Sequence, residues 1–254
     1  MNALPNSQSG QLPKGISLEK PARNLASLAA TSSLAHLRGT VLAQWSRRKQ
    51  FAALTKYGIQ PVNLALFHGP PGNGKTMASQ WLASQLNVPL YRVRCETLVC
   101  KYLGQTAACI SELMTWLERA QERCVVLFDE VEQILPARKA GGESSCSREI
   151  SSAMTVFWQW IDRWESETLF VLATNLPASL DAALLSRIEL KLEFGPPSAE
   201  QASSVIAYWQ EVLHEYGSDV WGPQLAEQRR WESFRDLFYA VQNAVRAHVS
   251  AQPG

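Results

Sequence analysis

The strongest chemical signal in the chain is the octapeptide GPPGNGKT at residues 69–76. It fits the pattern GxxxxGK[ST], follows an apolar run and precedes a helical pattern that begins near Met77, which is the context a phosphate-binding loop requires. Its glycines let backbone N–H groups point at phosphate oxygens, and the N-terminus of the following helix adds partial positive charge. We predict that Lys75 reaches the β- and γ-phosphates of a nucleotide and that the Thr76 hydroxyl holds Mg²⁺. The expected nucleotide contacts here are Pro71, Gly72, Asn73, Gly74, Lys75, Thr76 and Met77.

Polar side chains follow two other apolar runs. Val125–Phe128 ends in Asp129 and Glu130. We predict that Asp129 binds the magnesium ion, directly or through water, and that Glu130 orients and deprotonates the attacking water as a general base. Leu169–Thr174 is followed by Asn175, whose amide is expected to hold either the same water or the γ-phosphate.

Short apolar runs that alternate with longer helical patterns must position these residues. Such alternation is typical of parallel βαβ units, so we predict an α/β fold with a doubly wound, parallel, five-stranded P-loop sheet. In such sheets ligands bind at the carboxyl ends of the strands, where the motifs above fall. The five predicted strands are Val62–His68, Val88–Arg94, Cys124–Asp129, Leu169–Thr174 and Leu190–Phe194.

Composition along the chain predicts three parts. Residues 1–20 are rich in Asn, Ser, Gln, Gly and Pro and are expected to form a flexible tail. Residues 21–195 would form the α/β core. The run Gly195-Pro196-Pro197-Ser198 is a strong break. Two helical patterns, at about Ala199–Tyr216 and Trp231–Ser250 with a Gly/Pro-bearing link between them, predict a small helical lid over residues 196–254.

The overall charge and the lengths of the apolar runs argue against two function classes. Lys and Arg total 24 and Asp and Glu total 23, a net charge of +1, whereas a dedicated nucleic-acid binder usually has a basic excess. No apolar stretch approaches the ~20 residues that span a bilayer, and the N-terminus lacks a signal-peptide core, so we expect a cytoplasmic protein without a membrane partner.

The five cysteines are odd in number and lack CxxC spacing, which favours reduced thiols over zinc or disulfides.

The order of the motifs resembles the AAA+ ATPase family over about Tyr57 to Phe194. The resemblance implies ATP hydrolysis with Mg²⁺. By the same likeness, the segment that contains Gly58 and Ile59 would contact adenine, and Thr174-Asn175 would be sensor 1.

Asp181–Arg187 resembles the family segment that carries the arginine finger. That likeness implies that Arg187 reaches the γ-phosphate of a neighbouring subunit, and therefore a ring, with a homo-hexamer as the family expectation. Many members have a second arginine three residues further on, where this chain has Leu190.

Lys101-Tyr102-Leu103-Gly104 is similar to the aromatic pore loop of protein-threading AAA+ rings. An aromatic side chain between Lys101 and Leu103 can grip an unfolded backbone without reading its sequence. The alternative is that Tyr102 packs in an ordinary connection between strand and helix.

A narrower likeness involves Ile188–Ser198 together with Ala137–Ile161. These segments resemble the pachytene-checkpoint type of AAA+ remodeller, which acts on HORMA-domain proteins, and the short N-terminal part resembles compact bacterial versions associated with CBASS antiphage operons. In that family a lid arginine within Ser-Gly-Arg acts as sensor 2. Here Ser233-Phe234-Arg235 occupies the comparable place, which makes Arg235 the candidate.

The function predicted from the sequence is therefore a ring motor that hydrolyses ATP to remodel or disassemble a protein partner, with a HORMA-domain protein as the candidate. One alternative is a DNA-associated AAA+ ATPase, such as a loader or a transposition or plasmid regulator. The other is a P-loop kinase or nucleotide switch that works as a monomer, which the acid pair Asp129-Glu130 and Arg187 argue against.

Overall fold

The computed structural model describes residues 12–13, 15–19, 32–99, 105–120, 123–136, 145–164, 167–216, 218–228 and 230–251. Its strands lie in one sheet, which is buried against helices on both faces. The strands are β1 (Ile16–Glu19), β2 (Leu64–His68), β3 (Leu90–Arg94), β4 (Cys124–Asp129), β5 (Thr168–Thr174) and β6 (Leu190–Glu193).

The strand order is β1-β3-β4-β5-β2-β6. The five strands from β2 to β6 are mutually parallel, which confirms the predicted doubly wound α/β fold. Because β4, β5 and β2 are neighbours, the connections that leave their carboxyl ends lie along the same edge of the sheet.

The described residues contain one strand more than the sequence predicted. Strand β1 lies in the segment expected to be a flexible tail, and it pairs antiparallel with β3, from Ile16 opposite Val93 to Glu19 opposite Leu90. The carbonyl of Gly15 also accepts a hydrogen bond from the Arg94 N–H at 3.0 Å. Four residues of mixed polarity give little local signal, so this strand depends on its pairing with the edge of β3.

The observed strands begin within two residues of the predicted starts. Strand β2 begins at Leu64 rather than Val62, because side chains bind the Val62 backbone. Its N–H donates to Gln44 Oε1 at 2.9 Å, and its carbonyl accepts from Trp45 Nε1 at 2.7 Å.

Alternate residues of the strands face two separate hydrophobic cores. The helices that cover the sheet are α1 (Ser32–Leu37), a π-helical segment (Arg38–Leu42), α2 (Ala43–Ser46), α3 (Arg48–Phe51), α4 (Lys75–Leu86), α5 (Cys95–Leu98), α6 (Gln105–Ala120), α7 (Ser145–Asp162) and α8 (Ala182–Arg187). In β4, Val126 and Phe128 belong to the core beneath α6 and α7, whereas Val125 and Leu127 belong to the core beneath α4 and the N-terminal helices. The described 3₁₀ turns are Thr55–Tyr57, Val131–Gln133, Pro177–Ser179 and His214–Tyr216.

The C-terminal helices are α9 (Ala199–Val212), α10 (Ser218–Glu227) and α11 (Phe234–Ala251). Helix α9 begins with a capping box between Ser198 and Gln201. Helix α10 lies in the Gly/Pro-bearing link between the two predicted helices, although it contains Gly222 and Pro223. It forms because its Trp221 is buried and because it packs against α9, a tertiary effect that overrides the breakers.

No helix in the described residues is both long and apolar enough to cross a membrane.

Candidate nucleotide-binding site

The phosphate loop, residues 69–76, connects the end of β2 to the start of α4. Gly69, Gly72 and Gly74 have φ angles of +133°, +82° and +89°, in a region that side-chain-bearing residues rarely adopt. A Cβ at Gly69 would collide with the carbonyl oxygen of Phe194. The loop therefore requires glycine both for its backbone angles and for its contact with the end of β6.

Lys75 is buried at the base of this loop, with 8% of its surface exposed. Its Nζ donates to the carbonyl oxygens of Gly69 at 2.6 Å and Pro70 at 2.9 Å. Burial lowers the pKa of Lys75 and Arg235 lowers it further, while Asp129 and Glu132 oppose the shift. The ammonium thus lies among loop carbonyls, and phosphate oxygens are stronger partners for it.

Asp129 at the end of β4 is joined to Arg92 of β3, a residue that the sequence reasoning did not identify. The Arg92 Nη2 lies 2.6 Å and its Nε 3.0 Å from Asp129 Oδ2. Arg92 also lies 3.8 Å from Glu19 of β1. A cation two residues before a strand end is a common surface feature, so only the register of β3 on β4 reveals this pair.

Glu130 has left-handed backbone angles, with φ 56° and ψ 50°, and only one other non-glycine residue in the described part of the chain has a positive φ. Such a conformation costs of order 1–3 kcal/mol and often occurs at functional sites. The side chain is exposed. Partial shielding of its carboxyl group from water, together with the carboxylates of Glu96, Asp129 and Glu132, still raises the pKa of Glu130, while Arg92 opposes the shift. The raised pKa makes its carboxylate a stronger base.

Asn175 directly follows β5, between the ends of β4 and β2 in the sheet. Its neighbour Thr174 is buried and accepts a hydrogen bond from the Leu176 N–H at 3.0 Å, which fixes the turn out of the strand. The register places Thr174 opposite His68, the residue before the phosphate loop. The fold thus puts Asn175 at the same sheet edge as the loop, and its role as sensor 1 stays a prediction.

The C-terminal helices touch the phosphate loop through the residues just before α11. The Arg235 N–H donates to the Gly72 carbonyl at 3.1 Å, and the Phe234 N–H donates to Asn73 Oδ1 at 3.2 Å. Asn73 is buried. A Cβ at Gly72 would crowd the Ser233 side chain. The predicted sensor 2, Arg235, is therefore adjacent to the loop, although the structure does not test its role.

Arg187 lies apart from this group, at the end of α8. Its Nη1 is 3.3 Å from Asp162 Oδ2, its guanidinium lies 5.0 Å from the centre of the Trp158 ring, and half of the side chain is exposed. Its assignment as an arginine finger stays a prediction.

The structure does not test the predicted roles of two further segments. Gly58, with φ +74°, and Ile59 are exposed and are not among the residues that line the cavity beside Asn73 and Phe234. Their contact with adenine stays a prediction. Lys101, Tyr102 and Leu103 lie outside the described residues.

The residues present fit a magnesium nucleotide. The glycine cradle, the buried Lys75 and the loop N–H groups suit a polyphosphate, and Thr76 and Asp129 are the oxygen donors that would hold the ion. Among the described residues no group of three or more His, Cys, Asp or Glu forms a metal cage, and Mg²⁺ typically uses few carboxylates together with substrate phosphates. Bound there, Mg²⁺ would neutralise the phosphate charge that develops during hydrolysis.

Comparison with known proteins supports this interpretation. Residues 65–196, more than half of the chain, match the model of the AAA family, the ATPase family associated with various cellular activities. An uncharacterized AAA family ATPase of Sinorhizobium fredii is 34% identical over 58% of this chain and 43% of its own length. A 26S proteasome regulatory subunit 7 homolog of Schizosaccharomyces pombe is 35% identical over 59% of this chain and 35% of its own length.

A probable 26S proteasome regulatory subunit 10B of Caenorhabditis elegans is 31% identical over 64% of this chain and 40% of its own length. The chain thus spans less than half the length of the relatives it matches. The phosphate loop and the acid pair at the end of β4 lie within the matched residues, and so do the parallel strands except for Leu64 at the start of β2. The chain therefore belongs to the AAA family of ATPases, and the domain that contains this site binds and hydrolyses ATP with Mg²⁺.

Proposed function

We propose that the chain is the subunit of a cytoplasmic, ring-forming motor, a homo-hexamer by the family expectation, that uses ATP hydrolysis to remodel or disassemble a protein partner. The observation that carries this proposal is the contact between the phosphate loop and the C-terminal helices, at Gly72–Arg235 and Asn73–Phe234. A change in what the loop binds is transmitted directly to those helices, which then act as a lid that moves with the nucleotide state.

Within each subunit Lys75 and the loop amides hold the phosphates, and Glu130 takes the proton of the attacking water. Asn175 helps to hold that water or the γ-phosphate, and Arg235 reads the phosphates from the lid. Arg187 acts on the site of the neighbouring subunit. Its exposure, and its place on Trp158 and Asp162 rather than in its own phosphate loop, support a role across a subunit boundary.

The relatives and the charge of the chain indicate a protein as the substrate. Several relatives are named as regulatory subunits of the 26S proteasome, which favours a protein rather than a nucleic acid as the substrate. The net charge of +1 also favours a protein substrate. The Lys101-Tyr102-Leu103 segment would contact that protein in the ring pore. The likeness of Ile188–Ser198 to the pachytene-checkpoint remodellers makes a HORMA-domain protein of a CBASS antiphage system the candidate partner.

A trapped complex tests the proposal. Tagged Glu130→Gln protein, loaded with ATP in its native host, is expected to bind nucleotide without hydrolysing it and so to retain its partner for mass spectrometry. The Lys75→Ala variant, which should not bind ATP, is the matched control. Recovery of a HORMA-domain protein would establish the narrow proposal, and recovery of a different single protein would leave the remodelling proposal standing without that partner.

Recovery of DNA with its binding proteins would favour the alternative, a DNA-associated AAA+ ATPase. A direct check is binding to a short duplex at ~50 mM salt, where electrostatic contacts are strong. Absence of binding under those conditions would remove the alternative.

A further inference from the structure

Arg92 is fixed between two carboxylates that come from different strands. Two of its nitrogens donate to the same oxygen of Asp129, at 2.6 and 3.0 Å, and a third lies 3.8 Å from Glu19 Oε1. Glu19 also accepts a hydrogen bond from Ser17 Oγ at 3.3 Å. The guanidinium is thus tied from both sides, and a side chain held in this way loses little further entropy when it orients a partner.

The sheet explains why Arg92 reaches this carboxylate. In the parallel register of β3 on β4, Arg92 lies opposite Leu127 and Arg94 opposite Asp129. Arg92 projects from the same face as Leu127, because strand side chains alternate. Its long side chain then runs diagonally toward the carboxyl end of β4. Antiparallel pairing places Ser17 opposite Arg92, and Glu19 shares that face of β1.

The pair between Arg92 and Asp129 is shielded from water more than a surface ion pair. The Arg92 side chain is 29% exposed and that of Asp129 is 17% exposed. Coulombic effects are stronger in such a place than in open solvent, so the charge of Arg92 acts on anything that Asp129 binds.

We propose that Arg92 is a positioning residue for the magnesium ion. It fixes the orientation of the Asp129 carboxylate, engages Oδ2 and leaves the other oxygen to face the cation. Its positive charge also opposes the divalent cation and keeps the metal affinity of the site moderate. The proposal rests on the assignment of Asp129 to magnesium, which the experiment tests separately.

Removal of the guanidinium therefore has two opposite consequences. The metal should bind more tightly, because a nearby positive charge has gone. Turnover should fall, because Asp129 is no longer held in one orientation. Loss of groups that orient metal ligands typically costs roughly 10–100-fold in metal affinity or activity, and here the removed positive charge offsets the loss of affinity, so the cost falls on turnover. An arginine that only joined two strands would not produce tighter metal binding together with slower turnover.

The test is a Mn²⁺ titration of the full chain with ADP bound, followed by electron paramagnetic resonance. Arg92→Gln is expected to bind Mn²⁺ at least roughly fivefold more tightly than the unmodified protein, because even a screened unit charge acts strongly on a divalent ion at contact range. Its kcat for ATP hydrolysis should fall while the KM for ATP changes little. Arg119→Gln, an exposed arginine on α6, is the control and should change neither.

Asp129→Asn separates the inference from the assignment beneath it. If Asp129 holds the metal, Asp129→Asn weakens Mn²⁺ binding, and adding Arg92→Gln to it lowers kcat no further, because no carboxylate is left for Arg92 to orient. An unchanged Mn²⁺ affinity in Asp129→Asn would refute the assignment of the metal ligand. Weakened binding in Asp129→Asn, together with an Arg92→Gln affinity within about twofold of the unmodified protein, would overturn the role of Arg92 alone.

Arg92→Lys keeps the charge but replaces the two-nitrogen contact by a single ammonium. Its Mn²⁺ affinity should stay near that of the unmodified protein, while its kcat falls part of the way toward that of Arg92→Gln. If Arg92→Gln does not fold, the kcat of Arg92→Lys tests the proposal instead. An unchanged kcat in this variant would then overturn the proposal.

Discussion

The side-chain oxygen of Asn73 accepts a hydrogen bond from the backbone N–H of Phe234 at 3.2 Å, across 161 residues of sequence. Asn73 lies within the phosphate loop and Phe234 is the first residue of α11. One amide thus joins the part of the site that binds phosphate to the helices that follow the sheet. A loop conformation that turned this amide away would remove one of the two hydrogen bonds that hold the start of α11 to the loop, the other being that of the Arg235 N–H to the Gly72 carbonyl.

Asn73→Ala should therefore loosen the C-terminal helices from the core. The substitution removes the acceptor of a partly buried N–H, which typically costs about 1–3 kcal/mol in the free energy of unfolding. Chemical denaturation followed by tryptophan fluorescence measures that loss. Asn243→Ala, an exposed position on α11, is the matched control and should change stability by less than about 0.5 kcal/mol. Equal stability of the two variants would show that the contact contributes nothing.

Gly69→Ala should destabilise the fold by at least about 2 kcal/mol, because it combines an unfavourable positive φ with a collision against the Phe194 carbonyl. Gly195→Ala is the matched control, since a Cβ at Gly195 meets no atom within 4 Å. Urea unfolding of both variants gives the comparison. A Gly69→Ala protein as stable as Gly195→Ala would mean that the loop adopts other backbone angles in solution.

Glu130→Gln should separate nucleotide binding from chemistry. The amide cannot accept the proton of the attacking water, so hydrolysis should fall by roughly 10²–10⁴-fold while a fluorescent ATP analogue still binds. Lys75→Ala should lose that binding. Glu118→Gln, an exposed position on α6, should behave as the unmodified protein. Normal hydrolysis by Glu130→Gln would assign the base to another residue.

Arg187→Ala should retain ATP but lose hydrolysis, because arginine fingers accelerate phosphoryl transfer by ~10³–10⁵-fold in known systems. Mixing this variant with Lys75→Ala should restore activity, since each Lys75→Ala subunit supplies Arg187 to an intact neighbouring site. Arg163→Ala removes another arginine that stacks on a tryptophan, Trp160, and should leave hydrolysis unchanged. If mixing restored nothing, Arg187 would act within its own subunit or only in packing.

Cys95 should resist alkylation. Burial raises the pKa of its thiol well above the usual value, and the carboxylates of Asp129 and Glu96 add to the shift. A raised pKa lowers the thiolate fraction at every pH below it, so Cys95 should stay protonated and unreactive near pH 8. Peptide mass spectrometry after iodoacetamide treatment should find Cys109, which is only half-buried, labelled before Cys95. Early labelling of Cys95 would show that α5 opens readily.

The sequence was sufficient to predict features that depend on local pattern. The interiors of β4 and β5 are continuous apolar runs because both faces of these strands are buried, so Cys124–Asp129 was predicted with its observed bounds. The phosphate loop was predicted because its glycines, lysine and threonine have fixed spacing between a strand and a helix. The parallel arrangement followed from the alternation of strands and helices.

Features that depend on distant residues were missed. Strand β1 exists because the edge of β3 accepts it, and the tie of Arg92 to Asp129 requires the register of two strands. The contact of Asn73 with Phe234 requires the return of α11 to the loop. The left-handed backbone of Glu130 also had no sequence signal, since Gly or Asn is the usual residue in that conformation.

Strand β1 also has a consequence for how the protein behaves when it is shortened. It covers the outer edge of β3, where unpaired backbone N–H and C=O groups would otherwise face solvent. Exposed edges of this kind recruit strands from other molecules and promote aggregation. A version of the chain trimmed to begin after Glu19 would present the backbone groups of Leu90, Arg92 and Arg94 to its neighbours, so poor solubility of such a version would reflect an open sheet edge rather than a damaged ATP site.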